Sequence, residues 1–317
     1  MTISQTWLKA IRLRTLPLAA AVILLPSGLL ALQNLVRVPV VLHALFTAFL
    51  LQILSNLAND YGDAVSGADR NRIGPVRMVA SGQISPIAMR TAIIMTAALA
   101  LISGILLILP LAEADGTLAE ADGTLAESNG ANLTFWVWLA IGLSAVIAAI
   151  RYTVGANPYG YRSLGEVAVV VFFGPVAYAG MLTLHGLSMS AMDWAPAIGT
   201  GLLAASVLNL NNLRDREQDA QAAKITLAVR LGNHKALLFQ TALVAVALIG
   251  LIGYAWFRSV PLLWGWSLMA VAYSSLLRKI WQVHEPAAYD AFLKPTALYL
   301  FVMALMPWLL YWRIINS

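Results

Sequence analysis

Of the 317 residues, 60% are hydrophobic and only 11% charged, with a mean hydropathy of +0.76 and a formal net charge of +5. A balance this apolar excludes a soluble globular domain and defines an integral membrane protein, all-α because no run shows the period-two alternation of a barrel strand. The lack of any cysteine removes disulfides, thiolate nucleophiles and Cys-ligated zinc, and His43, His185, His234 and His284 are scattered without metal-ligand spacing.

In chain order, a basic opening with Lys9, Arg12 and Arg14 leads into the apolar run Leu16–Leu35. A secretory signal reads the same way, but eight more runs of spanning length follow, so an uncleaved first helix is expected. They are Val38–Ala58, Pro86–Ala112, Leu133–Ile150, Val167–Leu187, Ala195–Leu213, Ala236–Phe257, Val260–Leu277 and Phe292–Trp312. Each is long enough to cross a bilayer as a helix.

With nine spans, only Arg37, Arg258 and Arg313 of the 20 basic residues fall on one side. Cytoplasmic loops gather Lys and Arg, so the N-terminus is expected inside and the C-terminus outside. The pI near 9.6 therefore calls for no nucleic acid. On the outer side LAEADGT runs twice over Leu111–Thr124 and begins again. It reads as a duplication tolerated in an exposed loop, or as a prolongation of the third helix. Trp136, Trp138, Trp256, Trp264, Trp308 and Trp312 are expected as an interfacial belt.

Two acid-rich segments, Asn56–Asp69 and Asn209–Asp219, follow the second and sixth spans, and carboxylates at the edge of hydrocarbon usually mark a site. If the second helix continues, Asn56, Asp60 and Asp63 share one face at i, i+4 and i+7, with Asn59 four before Asp63. At the sixth, Asn212, Asp215 and Asp219 stand at i, i+3 and i+7, beside Asn211. Magnesium typically binds through one or two carboxylates plus substrate phosphates, so two such faces suit a diphosphate. Arg77 follows Asp63 by 14 residues and Arg230 follows Asp215 by 15. With Arg72 and Lys224 they are expected to meet phosphate oxygens. Solvated loops with capping carboxylates would account for either segment alone.

The doubled motif, its place after the second and sixth of nine helices, and the internal repeat resemble the UbiA superfamily of intramembrane aromatic prenyltransferases. The resemblance covers nearly the whole chain. It is carried by NDYGDAVSGAD with RIGPVR, YTVGANPYGYRSLGE (Tyr152 to Glu166), and NNLRDREQD with K-x-T-L and VRLG. These strings look most like the subset whose acceptor is 1,4-dihydroxy-2-naphthoate. Two departures are visible: Gly67 stands where the wider superfamily often has an acid, with Asp69 two beyond, and Leu13 replaces the proline of an R-P-x-T-L-P start at Arg12.

The resemblance implies one domain over 1–317, a nine-helix bundle with two pseudo-repeated halves of about 1–150 and 151–317. It implies Mg2+ held by Asp60, Asp63, Asp215 and Asp219, with Asp69 as a further candidate, and a diphosphate met by Arg77, Lys224 and Arg230. A polyprenyl group would pass from polyprenyl diphosphate to the naphthoate with loss of carbon dioxide, giving demethylmenaquinone, in the bacterial cytoplasmic membrane with the site toward the cytoplasm. Tyr152, Tyr159, Tyr161, Phe172 and Phe173 would face an allylic cation or make ordinary lipid contacts. Two alternatives stand: another acceptor such as 4-hydroxybenzoate or, from a different class, a secondary transporter.

Overall fold

A computed structural model describes residues 2–69, 75–122 and 128–316, with the backbone alone described over 113–122 and 128–132. Among the described residues are eleven α-helices: α1 Ile3–Ile11, α2 Leu16–Ala31, α3 Val38–Ser66, α4 Pro86–Asp122, α5 Ser128–Arg151, α6 Gly165–Val171, α7 Ala177–Leu184, α8 Trp194–Gln221, α9 Leu227–Arg258, α10 Val260–Trp281 and α11 Asp290–Ile315. They supply nine stretches long and apolar enough to cross a membrane, α1 with α2 and α6 with α7 each counting once.

Local chemistry sets the ends. Thr2 caps α1 in a reciprocal box with Gln5, and Thr226 and Ser259 accept from Val229 N and Leu262 N at the starts of α9 and α10. Gly67 ends α3 with φ 82°, a left-handed conformation that a residue without Cβ adopts freely.

The helices outrun the apolar windows at their polar ends. α3 continues past Ala58 to Ser66 and α8 past Leu213 to Gln221, so both acidic segments are helical. α9 begins at Leu227 rather than Ala236, its first polar turn set apart by Gly232 at φ 72° and ψ 171°. The first span differs at both ends: α2 stops at Ala31, before Leu35, and α1 precedes it across a left-handed Arg12. Hydrophobicity locates a span, whereas the hydrogen-bond ladder carries on wherever protein covers the polar turns.

α2 is buried along most of its length and packs on α11, closing the ring of helices. α8 packs chiefly on α9, and α3 on α4 and α5. Between α6 and α7 a wide turn over Phe172–Val176 is kinked at Gly174, where it crosses α8 at Gly201. The repeat segment is helical over its backbone through Asp122, which is the helix-prolonging alternative for that stretch. The tryptophan belt is incomplete. Trp136, Trp256, Trp264 and Trp312 are exposed, but Trp138 lines the internal cavity and Trp308 turns inward to donate to the Leu24 carbonyl at 3.0 Å.

Candidate active site

Helical spacing aligns the acids of α3, and packing then gives each a different partner. Asp63, almost fully buried, accepts from Arg77 Nη2 at 3.2 Å, Lys224 Nζ at 3.3 Å and Tyr161 Oη at 2.9 Å. Arg77 Nε reaches Asp69 at 3.4 Å, so one guanidinium joins two acids of the first segment. Asp60 accepts backbone N–H bonds from Met78 at 3.0 Å and Val79 at 2.9 Å. It thereby anchors the turn that carries Arg77.

Lys224 joins the two segments. Its Nζ lies 3.3 Å from Asp63 on α3 and 3.5 Å from Asp219 on α8, and sits 5.3 Å from the centroid of the Tyr161 ring. Two loops bring it there: Ile225 N donates to Tyr161 O at 3.2 Å, and Ser163 Oγ to Ile225 O at 2.8 Å. Burial pulls the Lys224 ammonium down, but Asp63 and Asp219 outweigh it and hold its pKa above the usual value. Burial lowers Arg77 to about 10, against the opposing pull of Asp215, so it stays charged at neutral pH. Burial, and then the Asp63 carboxylate, push the Tyr161 phenol upward.

The second segment pairs within itself and with α11. Arg214 holds its own neighbour Asp215 with two bonds of 2.7 and 2.8 Å and reaches Asp290 at the start of α11. Arg230 is exposed and stays outside the cluster. Residues at i and i+1 do not normally face each other on a helix, so spacing gave no sign of the Arg214–Asp215 pair, and Asp290 carries no local signal. Arg72 lies outside the described residues.

The amides divide as well. Asn59 Oδ1 accepts from Thr153 Oγ1 at 3.2 Å, and Asn211 Oδ1 accepts from Arg214 Nη2 at 2.7 Å. Asn212 Nδ2 donates at 2.8 Å to Glu166, a buried carboxylate that sequence reasoning left out although it ends the YTVGANPYGYRSLGE string. Asn56 turns away from the acids, donating to Ile11 O at 2.8 Å and Thr15 Oγ1 at 2.9 Å.

Beside the cluster lies a cavity of about 700 Å³. Its polar lining includes Asn56, Asn59, Asn211, Tyr152 and Tyr159, with Arg12, Arg14, Asp290 and Lys294 at the α1–α2 bend and the start of α11, and the remainder, from α2 to α8, is mostly apolar. Tyr152 and Tyr159 meet edge to face at 5.4 Å, and Tyr159 Oη donates to Ala148 O at 2.9 Å. Phe172 and Phe173 line the same cavity, so these four aromatic rings face an interior space rather than lipid alone. Tyr161 sits with the acids instead.

Among the described residues no group of three His, Asp or Glu side chains is close enough to hold a metal by itself. The expected four-aspartate cage is therefore not preassembled, because Asp60 is taken by backbone amides and Asp63 and Asp215 by cations. The donor set still fits a divalent ion that arrives with phosphate: its ligands are hard carboxylate oxygens, and such an ion needs only one or two of them.

The chain as a whole has well-matched relatives. The UbiA prenyltransferase family matches residues 125–305, more than half of the chain. The chain is 42% identical over 270 residues to the 1,4-dihydroxy-2-naphthoate octaprenyltransferase of Escherichia coli K12, covering 85% of this chain and 82% of that one. The protein of the same name from Mycobacterium tuberculosis is 39% identical over 241 residues, 76% of this chain and 75% of that one. In fold, a UbiA homolog from Archaeoglobus fulgidus bound to GPP and Mg2+ superposes with a TM-score of 0.60 at 16% identity, covering 94% of this chain and 99% of that one. The chain belongs to the UbiA prenyltransferase family and is a multi-pass membrane protein. That membership decides between enzyme and transporter.

Proposed function

We propose that this protein transfers a polyprenyl group from polyprenyl diphosphate to 1,4-dihydroxy-2-naphthoate, with loss of carbon dioxide, in the bacterial inner membrane. Supporting this are the relatives named above and one observation in particular: Lys224 bridges Asp63 and Asp219, so the two acidic segments make one centre. The site faces the cytoplasm, as does the N-terminus, by the distribution of Lys and Arg.

Bound with the diphosphate, Mg2+ would supply neutralisation of the leaving group, with Asp63, Asp215 and Asp219 as its carboxylates. Arg77 and Lys224 donate to phosphate oxygens, and their charge matters most as the C–O bond breaks. Asp60 keeps the Arg77 turn in place. The electron pair of that bond leaves on the diphosphate and the allylic C1 becomes electrophilic. Tyr152, Tyr159, Phe172 and Phe173 present ring faces and edges to it and exclude water. The ring carbon that carries the carboxylate then bonds to C1, and as its bond to the carboxylate breaks, that electron pair returns to the ring and carbon dioxide leaves.

Mass spectrometry of products from the protein in lipid nanodiscs tests this. Prenylated, decarboxylated naphthalenediol should form with Mg2+ and vanish with EDTA. Product from 4-hydroxybenzoate in place of the naphthoate would overturn the acceptor assignment.

A further inference from the structure

The cavity holds three cations that the diphosphate centre does not use. Arg12, Arg14 and Lys294 line it, whereas Arg77 and Lys224 do not. They also come from a different wall, the α1–α2 bend and the start of α11, which pack together. Arg14 lies 3.8 Å from Asp290, itself shared with Arg214. Arg12 is half-buried.

The backbone at Arg12 is unusual. Its φ of 56° and ψ of 61° are left-handed, a region an L-residue other than Gly, Asn or Asp seldom occupies without support. The support comes from α3: Asn56 bonds Ile11 O and Thr15 Oγ1 on either side of Arg12, and Gln52 Nε2 reaches Thr15 Oγ1 at 3.3 Å. An asparagine of the catalytic helix is thus used to hold the bend whose arginine lines the cavity.

We infer that Arg12, with Arg14 and Lys294 beside it, receives the carboxylate of the aromatic acceptor. The inference rests on the acceptor class proposed above. A planar guanidinium suits a carboxylate in bidentate fashion. The acceptor's ring then lies among Tyr152, Tyr159 and Phe172, with its carboxylate on the opposite charge system from the diphosphate. Because the carboxylate leaves as neutral carbon dioxide, its contact with Arg12 weakens along the reaction. The interaction therefore contributes to acceptor binding more than to the rate constant.

The experiment uses the full chain in nanodiscs and two stable competitors, 1-hydroxy-2-naphthoate and 1-naphthol. Arg12→Gln should raise the Ki of the naphthoate roughly tenfold, the loss of one charge-assisted contact, and leave that of 1-naphthol unchanged. Acceptor KM should rise with kcat and the prenyl diphosphate KM nearly constant. Equal weakening of both competitors means that Arg12 only shapes the bend and overturns the subsite. So does a rise confined to the prenyl diphosphate KM. Lys294→Gln, on a separate helix, carries the same comparison if Arg12→Gln does not insert. Equilibrium binding of the two competitors needs no turnover, so a wild-type chain that fails to prenylate dihydroxynaphthoate would defeat the proposed activity separately.

Discussion

Asp63 receives Arg77, Lys224 and Tyr161 at once, so removing it leaves Arg77 with Asp69 and Lys224 with Asp219. Asp63→Ala should lose roughly 10³-fold in kcat and about 1–3 kcal/mol of stability, the usual result of removing one hydrogen-bonding partner from a buried polar cluster. Turnover at saturating Mg2+ and thermal melting in detergent read the two losses, and near-wild-type turnover would sink the assignment of this centre. The arginines should separate by environment. Arg77→Lys loses a guanidinium that contacts both Asp63 and Asp69, and should lower kcat about tenfold or more. Arg230→Lys, exposed and outside the cluster, should stay within about twofold of wild type in the same steady-state assay. Equal losses in the two variants would restore the equivalence that their spacing suggested.

At the level of elements, close approaches decide where helices meet. A Cβ on Gly62 would fall 2.6 Å from Thr153 Oγ1 and 2.7 Å from the Thr153 carbonyl oxygen. Gly62→Ala should push α3 from the 152–154 segment, costing about 1–3 kcal/mol and lowering turnover, because Asn59 and Asp63 flank it. At the crossing of α8, a Cβ on Gly201 would lie 2.4 Å from the Val170 carbonyl oxygen, so Gly201→Ala should misplace the Phe172–Phe173 wall. Gly253 has open space around it, and Gly253→Ala should hold or raise the melting temperature by removing backbone freedom in α9. A melting series over the three variants checks the ranking. Loss in Gly253→Ala with tolerance in Gly62→Ala would contradict the packing described.

For the molecule as a whole, the chemistry is gathered at one end of the bundle, and α4 extends past its apolar window at the other end of that helix. Deleting Leu118–Thr124 should therefore leave turnover within about tenfold of wild type, a barrier change of no more than ~1.4 kcal/mol, with membrane yield unchanged. A larger loss in a matched nanodisc assay would tie the repeat to the active site. The two acidic segments lie on the second and sixth spans, and contacts from the loops, Lys224 to Asp63 and Asp219 and Ser163 to Ile225, join them. The two-half organisation is thus a proposal that rests on the matched motifs.

The sequence by itself determined the membrane class, the approximate spans and the two acidic faces, since hydrophobicity and helical period are local properties that short windows contain. It also marked Lys224, Tyr152 and Tyr159 as residues to watch. Only the tertiary structure decided who meets whom: Lys224 with Asp63, 161 residues away, Arg214 on Asp215, Asp290 with Arg214, and Asn56 turned back to the Arg12 bend. Such pairings depend on loop closure and on which turns neighbouring helices cover. No periodicity in the chain encodes them, so the acids were legible in advance and their partners were not.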